Sequence, residues 1–231
     1  MLSWLPEDAS TFGPQIDRLF YLIYYITGAT FVLVTVLLVA FLVMYRHRDG
    51  RRATYTHGNS TLEIIWTVVP ALILVMLAFM SEEQWSRIKK HAPPADVQVR
   101  VTAKQFNWEV LYPGPDGKFD TADDYEVDND LHVPVNKVVW VLLHSKDVIH
   151  SFFVPVLRLK QDALPGREIR VWFEATKPGQ YEIPCAELCG FGHSGMKGLL
   201  TVQDAADYEA WRKQRWPQQA AQAATTKLKR G

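Results

Sequence analysis

The sequence predicts a transmembrane α-helical hairpin followed by an all-β Greek-key sandwich or barrel. Three observations predict it. Two long apolar runs lie near the N-terminus. Short alternating runs separated by turn signals follow them. A loop of soft metal donors sits between two strand-like runs, YEIP and KGLLTV.

The first apolar run, Leu19 to Tyr45, reads LFYLIYYITGATFVLVTVLLVAFLVMY and carries no charge. As a helix it is about 40 Å long, enough to cross a hydrocarbon core of roughly 30 Å with some tilt. The second, Leu62 to Met80, carries Glu63 in its first turn and Pro70 near its middle. Proline is tolerated in a membrane helix and is expected to kink it. A cleaved signal peptide is the rival for the first run. It needs a basic start and a shorter apolar core, whereas MLSWLPEDASTFGPQIDR is acidic and long.

Charge sets the expected orientation. RHRDGRR joins the two runs, with EDAS before the first and SEEQ after the second. Basic loops stay in the cytoplasm, so both termini and everything after residue 81 are expected on the outer, periplasmic side of the plasma (inner) membrane. The formal net charge of zero argues against a nucleic-acid binder.

The soluble part is punctuated like an all-β domain. VQVRVTA alternates, as do parts of NKVVWVLLH, REIRVWFEA and GQYEIPC, and PGPDG, PVN, LPGR and KPGQ separate them. DAADYEAWRKQRW predicts a short helix, and QQAAQAATTKLKRG a flexible end. The expected division is 1–90 for the hairpin and its flanks, 91–203 for the β domain and 204–231 for the C-terminal helix and tail.

PCAELCGFGHSGM, residues 184–196, holds both cysteines of the chain. Cys185, Cys189, His193 and Met196 are spaced C-x3-C-x3-H-x2-M, and His150 stands upstream at the end of another strand. Thiolate, imidazole and thioether together favour copper. A mononuclear blue-copper site uses two histidines, one cysteine and a weak methionine, so this set has one thiolate to spare. A second thiolate lets both sulfurs bridge a pair of copper ions that share one unpaired electron. Three alternatives stand beside it: a zinc site of two cysteines and two histidines, a Cys185–Cys189 disulfide, and a mononuclear copper site.

At these residues the chain resembles subunit II of haem-copper cytochrome c oxidases. The resemblance covers the helical hairpin, LEIIWTVVP, HSKDVIHSFFVPVLRLKQDALPGR and CAELCGFGHSGM. It implies a cupredoxin-like outer domain with the binuclear copper centre called CuA. Its ligands would be His150, Cys185, Cys189, His193, Met196 and the backbone carbonyl of Glu187. His150 and Met196 would share one copper, and His193 and the Glu187 carbonyl the other. The Glu187 carboxylate would ligate Mg or Mn at the junction with subunit I. The resemblance also implies cytochrome c as donor, haem and copper centres in subunit I, proton translocation and lipid contact. Quinol-oxidising relatives lack the copper ligands.

Other residues take roles from the same resemblance. Glu63 matches the mouth of a proton pathway; its alternative is a solvated helix-end acid. In KQFNWEVLY the tryptophan that usually receives electrons is replaced by Phe106; Trp108 matches a second tryptophan of that cluster and is the candidate for electron entry. A tethered cytochrome domain or another donor would fit this change. Asp147 matches a docking acid, with Lys146 beside it. The acidic run with Asp116, Asp120, Asp123 and Asp124 lacks an EF-hand pattern and reads as a solvated loop. Two other functions remain open from sequence: subunit II of a CuA-containing nitric oxide reductase, and a membrane-anchored copper carrier.

Overall fold

The computed structural model describes residues 4–216. The tail expected to be flexible, from Gln218 onward, lies outside them. The chain divides into two compact units, Gln15–Lys90 and the combination of Met1–Pro14 with His91–Gly231.

The first unit contains helix α2, Ser60–Lys89, and nearly all of helix α1, Gly13–Met44. Both are long and apolar enough to cross a membrane, and their apolar side chains are exposed along most of their length. Such a surface is stable only against hydrocarbon or partner helices. Two hydroxyls inside α1 are satisfied locally, as hydrocarbon demands: Thr27 Oγ1 donates to Ile23 O and Thr30 Oγ1 to Ile26 O, both at 2.9 Å. Arg51 Nη1 donates to Met44 O at 2.8 Å, meeting a carbonyl that α1 leaves unpaired at its end. Asn59 starts α2 by accepting from Leu62 N at 3.1 Å. Glu63 follows in the first turn, and Arg87 and Lys89 lie in the last, each complementing the helix dipole.

The second unit is the β domain. Its largest sheet has the order β3-β2-β1-β5-β8, from β1 (Val97–Lys104), β2 (Asn107–Tyr112), β3 (Tyr125–Asp128), β5 (Val138–Ser145) and β8 (Ile169–Glu174). A second sheet, β4-β10-β9, uses β4 (Asp130–Pro134), β10 (Lys197–Gln203) and β9 (Gly179–Pro184). A ribbon pairs β6 (His150–Val154) with β7 (Leu159–Ala163). The pairs β1/β5 and β10/β4 are parallel, so the chain must cross over between them. Alternation in β1 buries Val99, Val101 and Ala103, and the register sets them opposite Val141, Leu143 and Ser145. Leu131, Val133, Leu200 and Val202, from the second sheet, complete the core with Trp108 and Phe152.

Two local devices hold this frame. Asn129 adopts a left-handed φ of 58° that asparagine tolerates. From there it accepts Trp108 N at its side chain (2.8 Å) and Leu199 N at its carbonyl (2.8 Å), joining the two sheets. Residues ahead of α1 add a short antiparallel bridge, Ser10 to Ala175, and Phe12 packs edge-on against Trp172 at 5.5 Å. That strip covers part of a sheet edge that would otherwise be open.

The predicted C-terminal helix is α3, Ala205–Arg215. Its Trp211 is buried, stacked on His132 at 4.5 Å and edge-on to Tyr112 at 5.1 Å. The acidic loop is organised by its own bonds. Asp120 pairs with Arg100 at 2.6 Å, and Asp124 accepts Asp120 N at 2.7 Å.

Candidate metal centre

Cys185 directly follows β9 and Met196 directly precedes β10, so two hydrogen-bonded neighbours frame the loop. The frame closes on itself: Cys185 N donates to Met196 O at 3.0 Å. Phe152 bridges Cys185, which brings β6 alongside. His150 therefore opens β6 against the loop, at the start of that strand rather than at its end.

Both thiols are free and buried, with sulfurs 3.9 Å apart. A disulfide needs about 2.05 Å. Cys185 Sγ lies 3.9 Å from His150 Nδ1 and 3.3 Å from the Glu187 carbonyl oxygen. Cys189 Sγ lies 3.6 Å from His193 Nδ1 and 3.8 Å from Met196 Sδ. His150, Cys185 and Cys189 place their ligand atoms within 4.8 Å of one another. Thiols and imidazole nitrogens this close, shielded from water, fit a soft metal far better than hydrogen bonding to one another. The Glu187 side chain is exposed while its carbonyl faces Cys185.

Burial, and then the neighbouring Cys185, push the Cys189 thiol up to about 11. Without metal, that group keeps its proton at neutral pH. Metal binding must therefore release it.

The surroundings fix the histidine rings. His150 is fully buried, and its Nε2 lies 2.8 Å from Asp147 Oδ1. Trp108 sits edge-on to His150 at 6.2 Å and to Phe152 at 5.6 Å, and its Nε1 donates to Ile183 O at 3.1 Å. Trp108 is wholly enclosed. Phe106 is partly exposed and lies on the turn between β1 and β2. Its ring packs so closely on the loop that a Cβ at Gly192 would stand 2.5 Å from it. A Cβ at Gly190, at φ 135°, would stand 3.2 Å from that ring and 2.7 Å from Gln105 Nε2, so glycine there leaves room for Nε2 to donate to Cys189 O at 2.6 Å.

Glu63 lies in the other unit, in the first turn of α2 and near Gly58. Gln105 is the residue that sequence reasoning missed, since no local pattern links it to a loop 84 residues later. Asp147 was legible as an acid three residues before the candidate ligand His150, but its bond to that ring was not.

Two family profiles match the chain, "Cytochrome C oxidase subunit II, transmembrane domain" over residues 2–83 and "Cytochrome C oxidase subunit II, periplasmic domain" over 99–203. A probable cytochrome c oxidase subunit 2 of Rickettsia bellii is 35% identical over 219 residues, covering 88% of this chain and 80% of the relative. This chain belongs to the cytochrome c oxidase subunit II family. The subunit 2 of Thermostichus vulcanus is 32% identical, over 91% of this chain and 78% of that one. The crystal structure of the periplasmic domain of a Bradyrhizobium japonicum cytochrome oxidase subunit II is 35% identical, with a TM-score of 0.48, covering 54% of this chain and 96% of that chain.

As an oxidase subunit II, the chain is a membrane-anchored part of a larger complex, and other oxidase subunits are its partners. Its fold is the helical hairpin with a cupredoxin-like β domain expected from sequence. Its soft donor set makes copper the metal to which the site is suited.

Proposed function

We propose that this subunit is where electrons enter the oxidase. In this reading His150, Cys185, Cys189, His193, Met196 and the Glu187 carbonyl hold a binuclear CuA centre. Electrons come from a cytochrome c on the outer side of the membrane and leave toward the haem and copper centres of subunit I, where O2 is reduced to water. The observation that carries it is the pair of free, buried thiols 3.9 Å apart, each with an imidazole Nδ1 at hand.

Copper, when bound, supplies a one-electron couple whose charge change is shared between two metals. The chain's residues supply the rest. Cys185 and Cys189 would hold the copper as thiolates, giving up their protons on binding. Burial of Met196 and His150 keeps water off the donors and limits solvent rearrangement. The exposed Glu187 carboxylate is free to ligate Mg or Mn at subunit I. Phe106, partly exposed beside Gly190 and Gly192, lies nearer the surface than the enclosed Trp108, which supports His150. Cytochrome c, free or tethered, is the donor in this reading; phenylalanine offers it apolar contact without an indole hydrogen bond.

Electron paramagnetic resonance with metal analysis of the copper-loaded full chain tests the centre. Hyperfine coupling spread over two copper nuclei supports it. A single-copper pattern, or a silent zinc-loaded sample, sinks it.

Glu63 serves proton uptake from the cytoplasmic side in a proton-translocating oxidase. Its place in the first turn of α2, at the end reached from the basic loop, supports that role. Glu63→Ala is expected to slow oxidase turnover several-fold with the copper spectrum intact; unchanged turnover removes the role.

A further inference from the structure

Asp147 stands at a junction that a surface docking acid would not need. Its Oδ1 lies 2.8 Å from His150 Nε2 and accepts Val148 N at 2.7 Å. Its Oδ2 accepts Gln105 N at 2.7 Å. Gln105 in turn donates through Nε2 to Cys189 O at 2.6 Å. One carboxylate thus joins a buried imidazole to the turn that carries Phe106, and the same turn reaches the backbone of a thiol ligand.

The charge around it is already committed. Lys146, next in the chain, pairs with the buried Glu109, as does Lys104. The Asp147 side chain is only 31% exposed, and both its oxygens are in use. A carboxylate so engaged has little to offer a distant cation. It has much to offer a metal-bound imidazole. An acceptor on Nε2 fixes the tautomer that leaves Nδ1 free, holds the ring plane and raises the ring's basicity.

The geometry points to Asp147 as the positioning residue of the copper centre: it orients and polarises His150 and locks the Gln105–Phe106 turn to the same ligand. The inference rests on the copper reading above. By strengthening donation from His150, the carboxylate favours the oxidised centre and lowers its reduction potential. Its removal raises that potential.

The test uses the copper-loaded full chain with Asp147→Asn and Asp147→Glu. Wild type is measured first by electron paramagnetic resonance. A single-copper or silent spectrum there breaks the copper reading itself, before Asp147 is at issue. With that reading intact, Asp147→Asn is expected to retain copper roughly tenfold less well against a chelator. Its potential is expected to rise enough to change the equilibrium with a small ruthenium reductant about tenfold, which is about 59 mV for one electron. Asp147→Glu keeps the charge but moves the oxygen by one methylene, so it shifts potential and copper retention too. A docking acid predicts otherwise. Asp147→Glu would then match wild type throughout, and Asp147→Asn would change only the ionic-strength dependence of reduction by horse cytochrome c. That pattern overturns the inference. Should Asp147→Asn fail to fold, Asp147→Glu decides alone.

Discussion

The two ends of β2 are both aromatic, yet they serve different ends. At its start Trp108 packs against His150 and Phe152. At its close Tyr112 packs against Trp211 and Trp216 of the C-terminal segment. Each end also has a histidine. His132 has Gln203 Oε1 at 2.9 Å from Nδ1 and Asp130 Oδ2 at 3.1 Å from Nε2, and its ring lies flat on Trp211. His150 has a carboxylate on Nε2 only, and Nδ1 faces a thiol 3.9 Å away. A thiol is a poor hydrogen-bond partner. Residue type does not separate candidate ligand from scaffold here. The nitrogen left without a strong partner does.

The sharpest way to break the comparison is to remove a donor at one end and an aromatic at the other. Cys189→Ser is expected to abolish the two-copper hyperfine pattern and to cut turnover by more than the roughly 10–100-fold typical of changes outside the ligand set. A Cys189→Ser spectrum still spread over two coppers would mean that Cys189 is not a bridge. Trp211→Ala should do the reverse. It opens a cavity under α3 and is expected to cost about 3–5 kcal/mol, read from the denaturant midpoint. The copper spectrum should stay as in wild type, because distant sites with no shared partners act independently. A changed spectrum would show that the two ends are coupled through β2.

What could be read from sequence follows from range. The hairpin was legible because hydrophobicity over a span is a property of one continuous segment. The loop was legible because Cys185, Cys189, His193 and Met196 fall within one turn region, so their spacing is itself the geometry. Strands β1, β5, β8 and β9 announced themselves by alternation, and β10 as the strand-like run KGLLTV. The shorter β3, β4, β6 and β7 did not, since four or five residues hold too few alternations to stand out. The contacts that orient the ligands were illegible. Gln105 to Cys189 spans 84 residues, and Asp147 to Gln105 spans 42. The strip from Ala9 to Phe12 was hidden for the same reason: its partner, Ala175, lies just beyond the distant strand β8.

A finer test lies between the two ends. Glu109 follows Trp108 on β2 and is nearly buried, held by Lys104 and Lys146. Burial opposes its ionisation, yet the hydrogen bonds and charges of the two lysines outweigh that and hold its carboxyl below the usual glutamate range. A carboxylate whose folded pKa is depressed adds stability above its unfolded pKa of roughly 4.3. That contribution fades as pH falls through the lower folded value. Glu109→Gln should therefore be less stable than wild type at neutral pH by about 1.5 kcal/mol, since both lysines are partly exposed and screened. The difference should vanish below the carboxylate range. Melting curves of both proteins from neutral to acid pH check it, with the copper spectrum as control. A gap that persists in acid would assign the loss to packing rather than charge. A shifted copper spectrum would instead show that the lysine pair, through Lys146 beside Asp147, reaches the metal end.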